Sequence, residues 1–451
     1  MARISDQTGA NPAGKGSLDT FGGVFTPSIL TILGVIMYLR FGWVVANAGL
    51  VGTFLIVSLS TAITLLTGLS ISAIATDQHV RAGGAYYMIS RSLGIESGGA
   101  VGIPLYLAQA LSVALYTVGF AESVVRLYPH LDQRLVGIVT TILVALVALR
   151  SAKAAIRVQY FIMGAIGISL VSFALGSSQG TPMGFGGGVS DPADFWTVFA
   201  VFFPAVTGIM AGVNLSGDLK HPARSIPRGT LAAIAVGYVI YMVLPIVFAF
   251  RADGDTLASD SLIMEKLSLW GPTILLGVWG ATLSSAVGSI LGAPRVLQAL
   301  ARDGVLPKPL KFLSRGHGEN DEPRAGTVVT LLIAVVAVAL GNLDIIAPIL
   351  TMFFLTTYGV LNVAAGIERF LGNPSYRPRF KVHWILSLVG AVGCISVMFL
   401  ISGLATIIAI VVVISIFIWL ERRELTSTWG DVRRGIWMAV TRAGLLRFKL
   451  E

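Results

Sequence analysis

The chain has 451 residues, 55% of them hydrophobic and only 12% charged, with a formal net charge of +9. Soluble domains carry about 25% charged residues, and no polar stretch here is long enough to form one, so the composition excludes a soluble enzyme and leaves a helical bundle in lipid. The one cysteine, Cys394, excludes an intramolecular disulfide.

Residues 1–20 are polar and glycine-rich and lack the basic start and short apolar core of a signal peptide. They read as a flexible cytoplasmic tail. Gly9 to Lys15 imitates a phosphate loop, but Gly16 stands where Ser or Thr is required and no strand precedes it. Apolar runs of about 20 residues then place twelve spans, starting near residues 22, 50, 98, 133, 154, 195, 229, 271, 324, 344, 383 and 403, within a transmembrane domain at 21–421. A short basic segment, 422–451, follows. An N-terminus in the cytoplasm leaves only five of the 32 Lys and Arg residues on the outer side: Arg40, Arg126, Arg134, Arg251 and Lys266. That asymmetry predicts both termini inside. The basic inner loops then face lipid headgroups and not nucleic acid.

Two spans are interrupted by glycine at corresponding places. The first runs Pro27-Ser28-Ile29-Leu30-Thr31-Ile32-Leu33-Gly34-Val35-Ile36, and the sixth runs Pro204-Ala205-Val206-Thr207-Gly208-Ile209-Met210. A shift of 174 positions lays Val24-Phe25 and Gly34 onto Val198-Phe199 and Gly208. Paired interruptions of this kind mark a central site in secondary transporters. An unwound membrane helix frees carbonyls and amides that need partners. The carbonyls from Leu30 to Leu33 and near Pro204 suit a cation, and the amides opening each second half, at Gly34-Val35-Ile36 and Gly208-Ile209-Met210, suit an anion. No Asp, Glu, Lys, Arg or His falls between Phe25 and Leu39 or between Phe195 and Gly217. Small monovalent ions are therefore expected. The same glycines also suit close helix packing, and Pro204 can kink a helix without any ligand.

In the eighth span, Ala281, Ser284 and Ser285 make a compact oxygen cluster that could complete a sodium shell, although membrane serines usually bond back to their own turn. Tyr116 and Tyr358 fall deep within spans three and ten, away from the interfacial belt. Arg40 and Glu122 lie near the outer ends of spans one and three, as an outer gate or as two snorkelling side chains. All five histidines lie in loops or at span ends, and there is no HExxH and no paired carboxylate within a span. No enzyme and no cofactor is expected.

Several runs closely resemble the cation-chloride cotransporters: Gly34-Val35-Ile36 with Arg40 and Trp43, Val80 to Gly94, Phe203 to Gly212, Asn214 to Asp218, Ile226 to Thr230, Ala281 to Ser285 and Ala293 to Ala299. The resemblance covers about residues 22–435. It implies an all-α polytopic bundle of the amino-acid, polyamine and organocation type, in which spans one to five and six to ten are inverted repeats and spans one and six are discontinuous. It further implies a sodium site from the Leu30, Leu33 and Ala281 carbonyls with the Ser284 and Ser285 hydroxyls. A potassium site would use Thr31, Ile32, Tyr116, Pro204 and Thr207. One chloride would sit on Gly34, Val35 and Ile36, and another on Gly208, Ile209 and Met210 under the Tyr358 hydroxyl. Potassium-chloride members lack the serine pair, which argues for sodium coupling. Potassium-carrying relatives have Asn where this chain has Thr31, so potassium stays open. Relatives carry a large cytoplasmic C-terminal domain, which leaves family-style homodimerisation open as well. The expected protein is a symporter of a prokaryotic plasma membrane, electroneutral if two cations and two chlorides move together. The competing reading is a sodium-coupled permease for amino acids or other small organic solutes on the same fold.

Overall fold

The computed structural model describes residues 18–77, 83–150, 152–318, 321–370 and 376–423. The tail expected at the N-terminus as far as residue 17, the basic segment from 424 onward, and Val80, Arg81 and Ala82 of the quoted motif lie outside the described residues. The helices that carry the architecture are α1 (Phe21–Leu39), α2 (Phe41–Asp77), α3 (Ile95–Leu127), α4 (Gln133–Arg150), α5 (Ala152–Ala174) and α6 (Phe195–Asp218). They continue as α7 (Pro222–Ala249), α8 (Gly271–Arg302), α9 (Arg324–Leu340), α10 (Leu343–Phe370), α11 (Trp384–Ile401) and α12 (Gly403–Glu421).

Among the described residues ten of these are long and apolar enough to cross a membrane, which does not confirm the expected count of twelve. Two shorter apolar helices, Val158–Ala174 within the 23-residue α5 and the whole of α9, stand beside them among the described residues. With 17 residues, α9 rises about 26 Å at 1.5 Å per residue, slightly under the ~30 Å of hydrocarbon. The sequence also hides a bend. In α2 the backbone at Gly49 leaves helical geometry with φ at +65°, so the stretch from Phe41 to Ala48 is set off from the span that starts at Leu50.

Inversion is visible in which helices touch. The pairs α2 with α7 and α3 with α8 pack along each other, and the contact of α5 with α8 is mirrored by that of α10 with α3. At the centre, α1 and α6 run past one another in opposite senses: Leu18, just before α1, pairs with Leu219, just after α6, and the Thr20 and Ser225 hydroxyls lie 3.0 Å apart. In their most apolar stretches 89% of α1 and 94% of α6 is buried, against 11% of α12. The broken helices therefore form the core. Exposed Leu135, Val139, Leu143 and Leu146 on α4 form an apolar outer stripe suited to lipid.

Candidate functional site

The two interruptions differ in backbone. In α1 the helix Thr26–Ile32 ends at Leu33 (φ −86°, ψ 43°) and Gly34 (φ −98°, ψ −148°), and a new helix runs Val35–Leu39. In α6 the chain tightens into a 3-10 turn over Phe203–Val206, and both Thr207 and Gly208 stay near helical angles before Ile209–Asn214. Pro204 supplies no amide, which suits the tighter turn. Each interruption has one carbonyl capped by a buried tyrosine: Tyr241 on α7 donates to the Ile32 carbonyl at 2.7 Å, and Tyr358 on α10 donates to the Thr207 carbonyl at 3.1 Å. Tyr241 was not foreseen. Its only sequence mark is a polar tip within an apolar span.

Gly208 lets the two broken helices approach closely. A Cβ there would lie 2.8 Å from the Ile32 amide nitrogen and the Ser28 carbonyl oxygen, both main-chain atoms of α1. The close-packing role considered for this residue is thus real. Gly34 instead makes room for its own turn, since a Cβ would meet the Thr31 carbonyl at 2.7 Å.

Four of the residues proposed to hold cations, Leu30, Thr31, Ser284 and Ser285, line one cavity of about 20 Å³ together with Pro27, Gln159 and Gly288. A space of that size holds roughly one water-sized guest. Ser284 donates back to the Ala281 carbonyl at 3.1 Å, the usual fate of a helical serine. The Ser285 hydroxyl is buried and has no partner. Leu33 and Ala281 do not line this cavity.

A neighbouring cavity of about 10 Å³ gathers Thr31, Tyr116, Thr207, Gly208 and Met210 with Gln109, Ser112 and Ser289. Of the potassium candidates it takes Thr31, Tyr116 and Thr207. Ile32 instead faces a third small space beside Thr61 and Thr64, and its carbonyl is engaged by Tyr241. The Pro204 carbonyl accepts the Thr207 hydroxyl at 2.8 Å, and the Thr31 hydroxyl bonds to the Pro27 carbonyl at 2.8 Å. Among the described residues no charged side chain lines any of these three cavities, and no cluster of metal-ligating side chains occurs.

Among the described residues the amides of Gly34, Val35 and Ile36 find no backbone acceptor, and the same holds for Gly208 and Ile209. The Met210 amide is engaged by the Thr207 carbonyl at 3.3 Å. Tyr358 is fully buried, with its hydroxyl on Thr207.

At one end of the bundle Arg40 forms a fork with Glu122, at 2.8 and 3.0 Å, and also reaches Asp344 on α10 at 2.8 Å. Asp344 was not foreseen, because nothing in the sequence pairs residues 304 positions apart. The opposite end is tied by Arg295 to Asp218 at 2.5 Å, and by a short helix, Gly84–Leu93, whose Tyr86 and Arg91 both reach Asp303. Beyond them a far larger cleft of about 900 Å³ opens where α2 ends and α7 begins, lined by Lys220, Arg224, Arg228 and Arg379, and it touches none of the expected ligand residues.

Comparisons with known proteins agree with this architecture. Solute carrier family 12 member 1 of Mus musculus is 34% identical over 474 positions, covering 91% of this chain and 43% of that protein. Solute carrier family 12 member 2 of Homo sapiens is 34% identical over 473 positions, covering 91% of this chain and 39% of that one. The chain thus spans less than half the length of these relatives. Among solved structures, Mhp1, a nucleobase-cation-symport-1 family transporter in a closed conformation with bromovinylhydantoin bound, superposes with a TM-score of 0.55 at 13% identity, covering 92% of this chain and 96% of the other. That likeness shows a shared fold. Residues 23–434 match the amino acid permease family, so the chain belongs to that family of membrane transport proteins, and its similarity to solute carrier family 12 bears out kinship with the cation-chloride cotransporters.

Proposed function

We propose that this chain is a secondary active cotransporter that carries sodium together with chloride by alternating access, with potassium as a third candidate ion. The observation that carries this reading is the cavity between Leu30 and Thr31 of α1 and the serine pair of α8, lined by Ser285, whose hydroxyl has no partner. Its volume, about 20 Å³, suits a bare ion. Pockets for organic ligands run to about 300–1,000 Å³. Neutral oxygen donors with no carboxylate favour a monovalent hard cation over a divalent one.

Chloride is assigned to the acceptor-free amides at Gly34, Val35 and Ile36 and at Gly208 and Ile209. Arg40 with Glu122 and Asp344 serves as the outer gate: an ion cluster of this kind closes one side while the central ions are exchanged on the other. The positive-inside asymmetry supports cytoplasmic termini. If two cations and two chlorides move together, the cycle is electroneutral and the membrane potential does not drive it.

The test is tracer sodium uptake into proteoliposomes, with chloride replaced by gluconate and, separately, potassium replaced by an impermeant cation. Uptake is expected to fail without chloride, and Ser285→Ala is expected to abolish sodium dependence. Sodium uptake that ignores chloride but responds to an amino acid would replace this reading with the organic-solute permease.

A further inference from the structure

Gln159 sits on α5, outside every element to which the cation site has been assigned. Its side chain is only 6% exposed, its amide oxygen is buried without a hydrogen-bond partner, and it lines the same cavity as Leu30, Thr31, Ser284 and Ser285. Its neighbours Val158 and Tyr160 are exposed on the outside of the helix, so Gln159 is the polar residue that this part of α5 turns inward. A buried amide oxygen without a partner is destabilising. An apolar residue would remove that cost, so the placement calls for a guest that repays it. The Ser285 hydroxyl, also unpartnered, borders the same space. Two residues on different helices, each with a buried oxygen that has no partner, thus line one ion-sized cavity.

We infer that Gln159 is a cation ligand of this pocket, adding a neutral amide oxygen from α5 to those of α1 and α8. This rests on the sodium reading of the pocket and extends it. The donor is hard, neutral and mounted on a third helix, so occupancy of the pocket draws α5, α1 and α8 together. The cation thereby stabilises one arrangement of the bundle over others by the free energy of the added ligand. It also makes Gln159 a determinant of cation selectivity. A carboxylate at this position would add charge that a monovalent ion does not need and would admit divalent ions.

The experiment measures sodium-dependent thermal stabilisation of the purified full chain at constant ionic strength, beside a chloride titration, for the parent, Gln159→Leu, Gln159→Glu and Ser285→Ala. Gln159→Leu is expected to raise the sodium half-saturation about tenfold, the loss of one neutral ligand, and to leave the chloride titration unchanged. Gln159→Glu is expected to retain sodium binding, to make it weaken as the introduced carboxylate protonates at lower pH, and to bring a new response to calcium. If Gln159→Leu keeps the parent sodium half-saturation within twofold while Ser285→Ala shifts it, Gln159 is no ligand and the pocket stands. If neither variant moves the sodium titration, or the parent shows none, the sodium reading of the pocket falls and this inference with it. A Gln159→Leu protein that does not fold leaves the Gln159→Glu arm to decide: no pH dependence and no calcium response would overturn the proposal.

Discussion

At Leu33 and Gly34 the first broken helix leaves helical geometry outright, whereas the sixth tightens around Pro204 and keeps near-helical angles through Thr207 and Gly208. Both carry a glycine at the equivalent position, and the two glycines do different work. Gly34 lets one turn fold back on its own Thr31 carbonyl, while Gly208 lets a neighbouring main chain approach. The lesson is that a glycine interruption marks where backbone must come close to something. What it comes close to differs.

The sharpest way to break this comparison is to add one methyl group at each place. Gly208→Ala is expected to have the larger effect, because relief requires moving α1 as a body against α7 and α8; overpacking of this sort costs about 1–3 kcal/mol and should also depress transport. Gly34→Ala is expected to cost less, since the clash is with the same chain three residues back and small dihedral changes relieve it. Thermal unfolding in detergent, with uptake as a second readout, ranks the two. A reversed ranking would make the α1 turn the more constrained of the pair.

The tyrosine caps give a smaller effect. Tyr241→Phe removes the donor from the Ile32 carbonyl and Tyr358→Phe removes it from the Thr207 carbonyl, and an unpaired buried carbonyl costs about 1–3 kcal/mol. The Tyr241 bond is shorter, 2.7 against 3.1 Å, and it serves the fully unwound break. Tyr241→Phe should therefore lower the melting temperature more. Tyr358→Phe should show itself mainly as weaker chloride coupling in uptake, and equal coupling in both variants would remove Tyr358 from the anion site. Smallest in stability is Ser285→Ala, neutral to slightly stabilising without sodium, because the hydroxyl has no partner to lose and the cost of its burial goes with it. A clear loss of stability in sodium-free buffer would mean that Ser285 holds structure and not an ion.

Much of the site was legible because helical periodicity and composition are local. The breaks at Gly34 and Gly208 and the ends marked by Arg40 and Glu122 follow from residue types within one span, while the ion role given to Ser284 and Ser285 came from the family resemblance. Gln159 and Asp344 were not legible. Each is a single polar residue whose meaning comes from a partner on another helix, and no local pattern distinguishes Gln159 from any other polar residue in a membrane span. The count of twelve spans is not confirmed by length for a related reason: apolar length says how far a helix could reach, and α9 is short of a bilayer by that measure.

By itself the sequence determined that this is a membrane bundle, where its helices lie, and which two of them are interrupted, because the cost of burying charge and unpaired backbone in lipid acts residue by residue. Only the tertiary structure decided which carbonyls are capped, which hydroxyls remain without partners, and which helices share a cavity. Those depend on distances between segments more than 100 residues apart, as between Thr31 and Ser285 or Ser28 and Gly208, and packing alone sets them.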